Sequence, residues 1–328
     1  MEVPIPFYEA YGHQFRCGIC PHRCLLSDNK VGICKVRTVK DGIPITMNYG
    51  EVTSLASDPI EKKPLFHFKP GSEILSIGSF GCNMTCQFCQ NYEISQFQPK
   101  GQFLSIEKLG QRVAAMSPHQ GIAFTYNEPM MWYEYLDDAV RTLKSRFSDL
   151  STVVVTNGYI EKEPLKHLLP SIDAMNIDLK GYTNQYYKKI CGARLEPVLE
   201  TIKVAHEACH IEITTLLVSN ENDSLEEVEQ IAKFIASIDK NIPLHLSRYF
   251  PRYKLENQAT EIDILKKAAE VAKGHLNYVY IGNVSDVDQN TYCHNCHELL
   301  ISRHLYQTIC HIKKSTCPQC GIELPIQL

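Results

Sequence analysis

Residues 81–91 read GCNMTCQFCQN and carry Cys82, Cys86 and Cys89 at the spacing C-x3-C-x2-C. Three thiolates on one short loop can ligate three irons of a [4Fe–4S] cluster. With no fourth cysteine on the loop, one iron keeps an open site for chemistry. A zinc knuckle or chance thiols is the plainer alternative. The spacing, Phe88 directly before the last cysteine and a loop that follows an apolar run all weigh against it.

The remaining cysteines gather at the two ends. Of 14 in the chain, residues 1–40 hold Cys17, Cys20, Cys24 and Cys34, and residues 291–328 hold Cys293, Cys296, Cys310, Cys317 and Cys320. Disulfides are arithmetically possible, but a long chain able to form a core does not need them. Clustered Cys-x-x-Cys pairs read instead as metal sites. Cys17, Cys20, Cys24 and Cys34, with His22 as a spare donor, could hold one zinc or an auxiliary iron–sulfur cluster, and the spacing does not choose between them. Free structural thiols are the third option. Cys293-x2-Cys296 and Cys317-x2-Cys320 are two knuckles separated by 20 residues, the pattern of a four-thiolate zinc ribbon. Rubredoxin-like iron or a second iron–sulfur cluster could use the same thiolates, and His294, His297 and Cys310 are further donors. Cys209 falls on an apolar helical face and reads as core.

The elements that must position the central loop alternate in type. Apolar, β-branched runs occur at 73–80, 121–126, 152–158, 174–180, 211–218, 243–249 and 278–284. Near-continuous runs of this kind suit parallel strands buried on both faces. Helical periodicity lies between them at 105–116 with Ser105 as a cap, at 196–209 with Pro197 in the first turn, at 224–238 with a Ser224–Glu227 capping box, and at 259–274 closing on Gly274. Trp132, Tyr133 and Tyr135 read as packing of the helix layer. Strand–helix alternation predicts a full or partial (β/α) barrel with function at the C-terminal strand ends, a doubly wound open sheet being the alternative. The Cys-rich ends divide the chain into an extension at 1–45, a barrel core at 46–290 and a zinc-ribbon-like extension at 291–328.

Composition narrows the function classes. Across 328 residues, 33 Lys and Arg face 37 Asp and Glu, a net charge of −4. That balance does not favour nucleic-acid binding through phosphate contacts. No apolar run approaches the roughly 18 residues of a membrane helix. The opening MEVPIPFYEAYGH lacks the basic and apolar regions of a signal peptide, so a cytoplasmic protein is expected.

The three-cysteine loop resembles the signature C-x3-C-x-aromatic-C of the radical S-adenosylmethionine (SAM) superfamily. The segments TYNEP (125–129), VTNGYI (155–160), MNIDLKGY (175–182), CGARLEPVLETIK (191–203), HLSRYFP (245–251) and YIGNV (280–284), with CGICPHRC (17–24), TYCHNC and CPQC, are similar to one subgroup. This is the AmmeMemoRadiSam-system radical SAM enzyme, related to the pyruvate formate-lyase activating enzymes. The resemblance spans nearly the whole chain. It implies a (β/α) barrel of the radical SAM type and a [4Fe–4S] cluster on Cys82, Cys86 and Cys89. SAM would chelate the open iron and be cleaved reductively to a 5′-deoxyadenosyl radical that abstracts hydrogen from a substrate. It also implies a one-electron donor such as flavodoxin or ferredoxin. The ferredoxin-like insertion of some activating enzymes is absent: the 31 residues between Cys89 and Gly121 hold no cysteine.

The same resemblance nominates a SAM pocket. Asn127 and Glu128 stand where relatives contact the SAM amino group, although Tyr-Asn-Glu-Pro replaces their Gly-Gly-Glu, and both residues also read as a helix N-cap. Asn157 reads as a ribose or carboxylate contact, or as Asn-Gly turn chemistry. Asp178 and Lys180, two apart and so on one side of a strand, match the relatives' Asp-Leu-Lys, with a structural ion pair as the alternative. His245 matches a pocket histidine, or is a satisfied structural residue. Arg248, Gly282 and Asn283 are secondary pocket candidates. In a radical enzyme the thiol of Cys191 could donate hydrogen. The expected substrate is a protein or other large molecule, the family's companions being AMMECR1-like and Memo-like proteins. A glycyl-radical-enzyme activase and a non-catalytic metal-binding adaptor are the alternatives.

Overall fold

The computed structural model describes residues 2–116, 121–304 and 307–328. Its centre is an eight-stranded sheet. The strands are β1 (Ser54–Pro59), β2 (Glu73–Gly78), β3 (Gly121–Phe124), β4 (Ser151–Thr156), β5 (Ala174–Asp178), β6 (His210–Leu217), β7 (Leu244–Arg248) and β8 (Val279–Gly282). They lie side by side in chain order. β1 and β2 pair antiparallel, and every pair from β2 to β8 is parallel. A doubly wound sheet would reverse its strand order at a switch point. Here the order never reverses, so each crossover leaves its helix on the same face, and the first and last strands stay unpaired. The result is a partial barrel.

Burial separates the two faces. Outward side chains such as Ile77, Phe124, Val154, Ile177, Ile213 and Leu246 share one apolar core with the helices α1 (Ile106–Ala115), α2 (Tyr133–Arg146), α3 (Lys162–Leu168), α4 (Glu196–His206), α5 (Leu225–Ile238) and α6 (Ile262–Lys273). The inward residues Ile74, Ala123, Val153 and Ala174 pack instead on Ile60, Leu65 and Phe68. The segment after β1 therefore plugs the concave side. Trp132, Tyr133 and Tyr135 are buried in the helix layer, and the Trp132 indole donates to Asn48 O at 2.7 Å.

Local signals were honoured with three differences. Ser105 and Ser224 cap α1 and α5 by accepting from Lys108 N and Glu227 N. The return half of the capping box is not formed, because the Glu227 carboxylate accepts from Tyr182 N at 2.6 Å, a tertiary contact that outcompetes the local one. α6 starts at Ile262, and its closing Gly274 sits at φ −63° with right-handed geometry, so the glycine's left-handed freedom is unused. α4 ends at His206, before Cys209.

The N-terminal region adds two small antiparallel sheets, one from Val3–Pro4, Arg37–Lys40 and Ile43–Thr46, the other from Tyr8–Tyr11, Gln14–Cys17 and Leu25–Leu26. The C-terminal ribbon is a third, from Thr291–Tyr292, Leu299–His304 and Gln307–Cys310, with its own core around Leu300, Ile301, Ile312 and Leu324. Leu305 and Tyr306, expected within this ribbon, lie outside the described residues. The ribbon docks on the plug through Arg303 Nη2 to Phe66 O at 2.7 Å and Gln327 N to His67 O at 2.8 Å. No helix among the described residues is long and apolar enough to cross a membrane.

Candidate active site

The three-cysteine loop leaves β2 at the C-terminal mouth of the sheet. Its path is fixed by close packing: at Gly81, φ +93°, a Cβ would fall 2.4 Å from Val36 Cγ1 and 2.8 Å from Cys34 O. The loop is then pinned by Thr85 N to Cys191 O at 2.8 Å and Gln87 N to Ile190 O at 3.0 Å. Its sulfurs collect polar neighbours. Met84 N reaches Cys82 Sγ at 3.4 Å, Asn157 Nδ2 reaches the same sulfur at 3.7 Å, and Cys89 Sγ lies 3.2 Å from Ser95 Oγ. Donors of this kind tune ligated sulfur.

Charge at the loop is uneven. Burial raises the Cys82 thiol well above its ordinary range and raises Cys89 as well. Cys86 moves the other way, first because it receives a hydrogen bond from Cys191 and then because Lys180 is near. Thiolates in such a crowded place need a compensating cation. The three sulfurs do not converge within the 4.8 Å that a mononuclear ion would require. A cluster that gives each thiolate its own iron fits this donor set.

Three strand ends surround the loop. Asn127 Nδ2 donates to Gly81 O at 2.6 Å. Glu128, fully buried, accepts from Asn157 N at 2.8 Å, Thr156 Oγ1 at 2.7 Å and Met130 N at 3.0 Å. It ties the end of β3 to the end of β4 and caps the turn Pro129–Trp132, as its N-cap reading expects. Burial nevertheless pushes its carboxyl up to about 7. Asn157 forms the turn expected of Asn-Gly, with Tyr159 N donating to its Oδ1 at 2.8 Å, while its Nδ2 donates to Asn83 Oδ1 at 2.9 Å. Lys180 Nζ meets Asp178 Oδ2 at 2.9 Å and stands 5.8 Å from the Phe88 ring centroid. Burial works against its charge, but Asp178 and the sulfurs of Cys86 and Cys191 hold the ammonium well above the usual lysine range. Cysteine loop, Asn157, Glu128, Asp178 and Lys180 thus share one neighbourhood.

His245 does not join them. It stands second in β7, paired in register with Thr214 and Tyr280. The strand ends three residues later, which is about 10 Å further along. There His245 Nε2 meets Glu212 Oε2 at 2.6 Å, and its ring stacks on Tyr280 at 5.3 Å. Its hydrogen bond is taken up by the buried Glu212, although through Thr214 its backbone lies in register with Asp178 at the end of β5. Arg248 does end β7, but its Nε donates to Thr260 O at 2.8 Å.

Two contacts lie beyond what the sequence indicates. Cys191, wholly buried in the turn Tyr187–Cys191, touches Cys86 across about a hundred residues of sequence, which no local signal could reveal. Lys63 from the plug pairs with Asp58 at 2.8 Å, and Tyr126 OH donates to the same carboxylate at 3.2 Å. Lys63 is buried despite its charge, and nothing in its local sequence marks it.

A family model described as the radical SAM superfamily matches residues 76–235. "Uncharacterized protein MJ0808" of Methanocaldococcus jannaschii is 42% identical over 334 residues, covering 98% of each chain. "Putative glycyl-radical enzyme activating enzyme MJ1632" of the same organism is 26% identical over 218 residues, covering 63% of this chain and 80% of its own. Among solved structures, Streptococcus suis SuiB bound to precursor peptide SuiA is similar with a TM-score of 0.51 at 14% identity, over 68% of this chain and 51% of that one, a likeness of fold alone. The matched family segment opens within β2, carries the whole cysteine loop and runs through β6 into α5, the same stretch that builds the mouth. The chain belongs to the radical SAM superfamily.

Proposed function

We propose that this protein cleaves SAM reductively at a [4Fe–4S] cluster held by Cys82, Cys86 and Cys89, and directs the resulting radical at a protein or other large substrate. The observation that carries the reading is the cysteine loop at the strand mouth, encircled by Asn157, Glu128, Asp178 and Lys180. Bound there, the cluster supplies the electron that breaks a C–S bond of SAM for hydrogen abstraction. The chain's own residues do the rest. Lys180 offers a held cation to a carboxylate, a charge-assisted contact. Glu128, with its carboxyl raised by burial, regains its charge when an ammonium comes beside it. Asn157 fixes Cys82 and the adjacent backbone. Phe88 and the plug exclude water.

The C-terminal quartet reads as structural zinc. Cys293 Sγ lies 3.7 Å from Cys320 Sγ and Cys296 Sγ 3.6 Å from Cys317 Sγ. Four thiolates about 2.3 Å from one zinc stand about 3.8 Å apart. Such a closed site has no catalytic position and holds a short segment together.

A glycyl-radical activase is the second reading, favoured by the name of MJ1632. A flavodoxin- or ferredoxin-type electron donor belongs to either reading. AMMECR1-like and Memo-like proteins are the first substrates to try. The test is anaerobic reconstitution followed by chemical reduction with SAM. Formation of 5′-deoxyadenosine and methionine is expected, with a mass change on the true substrate, or a glycyl-radical signal for an activase. No product above the protein-free background would contradict the proposal.

A further inference from the structure

The two terminal cysteine quartets hold their sulfurs at different spacings. At the C-terminus all four ligand atoms lie within 4.8 Å of one another, the span of a single metal ion. In the N-terminal quartet no three sulfurs come that close. Cys17, Cys20, Cys24 and Cys34 instead line one shared pocket, walled also by Ile19, Arg37 and Met131. Three of the four are buried, and Cys24 is half-buried.

The separation is built into the backbone. Cys17 N bonds to Cys24 O at 2.9 Å, and Arg23 N to Cys20 O at 3.0 Å closes the turn between them. Gly32 N to Arg37 O at 2.8 Å fixes the turn that presents Cys34. A single zinc would need these sulfurs to draw together, because its thiolates stand only about 3.8 Å apart. A cubane cluster does not, since each thiolate binds a different iron at a different corner.

The pocket has one charged wall. Arg37 is buried and gives Nη2 to Glu134 at 2.9 Å and 3.0 Å and Nη1 to Met131 O at 3.3 Å. Its Nε is buried without a hydrogen-bond partner. A leftover buried donor is costly unless a guest accepts from it. Thiolate-ligated clusters are anionic and take N–H donors on their sulfurs, so the donor set and the orphan Nε call for the same guest.

We propose that Cys17, Cys20, Cys24 and Cys34 bind a second, four-iron iron–sulfur cluster, with Arg37 beside it, while the C-terminal quartet binds zinc. Four thiolates leave no open iron, so this cluster cannot chelate SAM. Its site shares a wall with the three-cysteine loop. Cys34 O packs against Gly81, and His22 Nε2 lies 2.7 Å from Asn83 O, the residue that also receives Asn157 Nδ2.

The test uses the full chain with Cys82, Cys86 and Cys89 all changed to Ala, expressed with both metals available and reconstituted anaerobically with iron and sulfide. The expected result is about four iron, four sulfide and one zinc per chain, with the broad visible absorption of a four-iron cluster. Adding Cys20→Ser and Cys34→Ser should remove the iron and spare the zinc. Two zinc and no iron in the first variant would overturn the proposal, as would iron that survives the added changes. Should the first variant not fold, the unmodified chain decides: about eight iron and one zinc supports a second cluster, and about four iron with one or two zinc contradicts it.

Discussion

The mouth and the floor of the barrel are both buried and polar, and they differ in what their polar groups are doing. On the floor, Glu212 is wholly buried and accepts from His67 N at 2.7 Å, His245 Nε2 at 2.6 Å and His210 Nε2 at 3.1 Å. His67 Nε2 meets Tyr280 OH at 2.7 Å, and Tyr280 OH lies 2.8 Å from Thr291 Oγ1, which also accepts from Arg303 Nη1 at 2.8 Å. Plug, barrel and C-terminal ribbon are stitched together here, and each partner is another part of the chain. At the mouth, burial raises two thiols and a carboxyl above their ordinary values, a shift that a bound cation would oppose. Satisfied networks give stability and a unique arrangement; groups held away from their ordinary charge state mark a site for chemistry.

If the floor is structural, removing its hub should cost stability and nothing else. Glu212→Ala leaves three imidazole or amide donors unpaired, so it should destabilise the protein by about 3–5 kcal/mol, the usual cost of breaking a buried pair. Denaturant unfolding measures this, and SAM affinity of the fraction still folded should be unchanged. A SAM site lost with the fold intact would erase the distinction.

The floor also sets the response to acid. Burial lowers His67 to about 3, against 6.5 when exposed, and although burial opposes the Glu212 charge, the bonds from His210 and His245 hold its carboxyl well below the usual range. In both cases the unfolded chain binds more protons than the folded one at low pH. Stability should therefore be retained above about pH 6.5 and fall steadily as pH drops toward 3. Glu128 runs oppositely: its folded value of about 7 exceeds the ordinary 4.5, so its contribution is present below pH 4.5 and fades as pH rises through 7. A thermal melt series should show the acid slope flatten in His67→Gln and the opposite slope vanish in Glu128→Gln.

A smaller effect is expected at the mouth. Lys180→Met removes a charge-assisted contact worth about 1.5–3 kcal/mol, so SAM should bind roughly ten- to a hundredfold more weakly by calorimetry. His245→Gln should leave that affinity within about twofold, because its ring faces Glu212. Equal losses in the two variants would place the pocket deeper than the mouth.

What the sequence revealed follows the reach of its signals. Asp178 and Lys180 form the ion pair that the sequence offered as one reading, although β5 ends at Asp178 and Lys180 lies just beyond it. The cysteine spacing located the loop. His245 had two readings, and its bond to Glu212 accords with the satisfied structural one; that partner is set by how strands pack and not by the pattern of its own strand. The Cys86–Cys191 contact and the Lys63–Asp58 pair were out of reach, since each depends on how distant segments pack. The two terminal quartets already differ in spacing, but spacing left the metal open in both, and only the C-terminal sulfurs converge on a single point.

The central claim is that SAM chemistry belongs to the three-cysteine loop. Electron paramagnetic resonance of the reduced, reconstituted protein tests it most directly, recorded with and without SAM. SAM should perturb one cluster signal in the unmodified chain and in Lys180→Met at higher SAM concentration, and that SAM-sensitive signal should be absent when Cys82, Cys86 and Cys89 are Ala. A SAM-sensitive signal that persists in the triple variant would contradict the account.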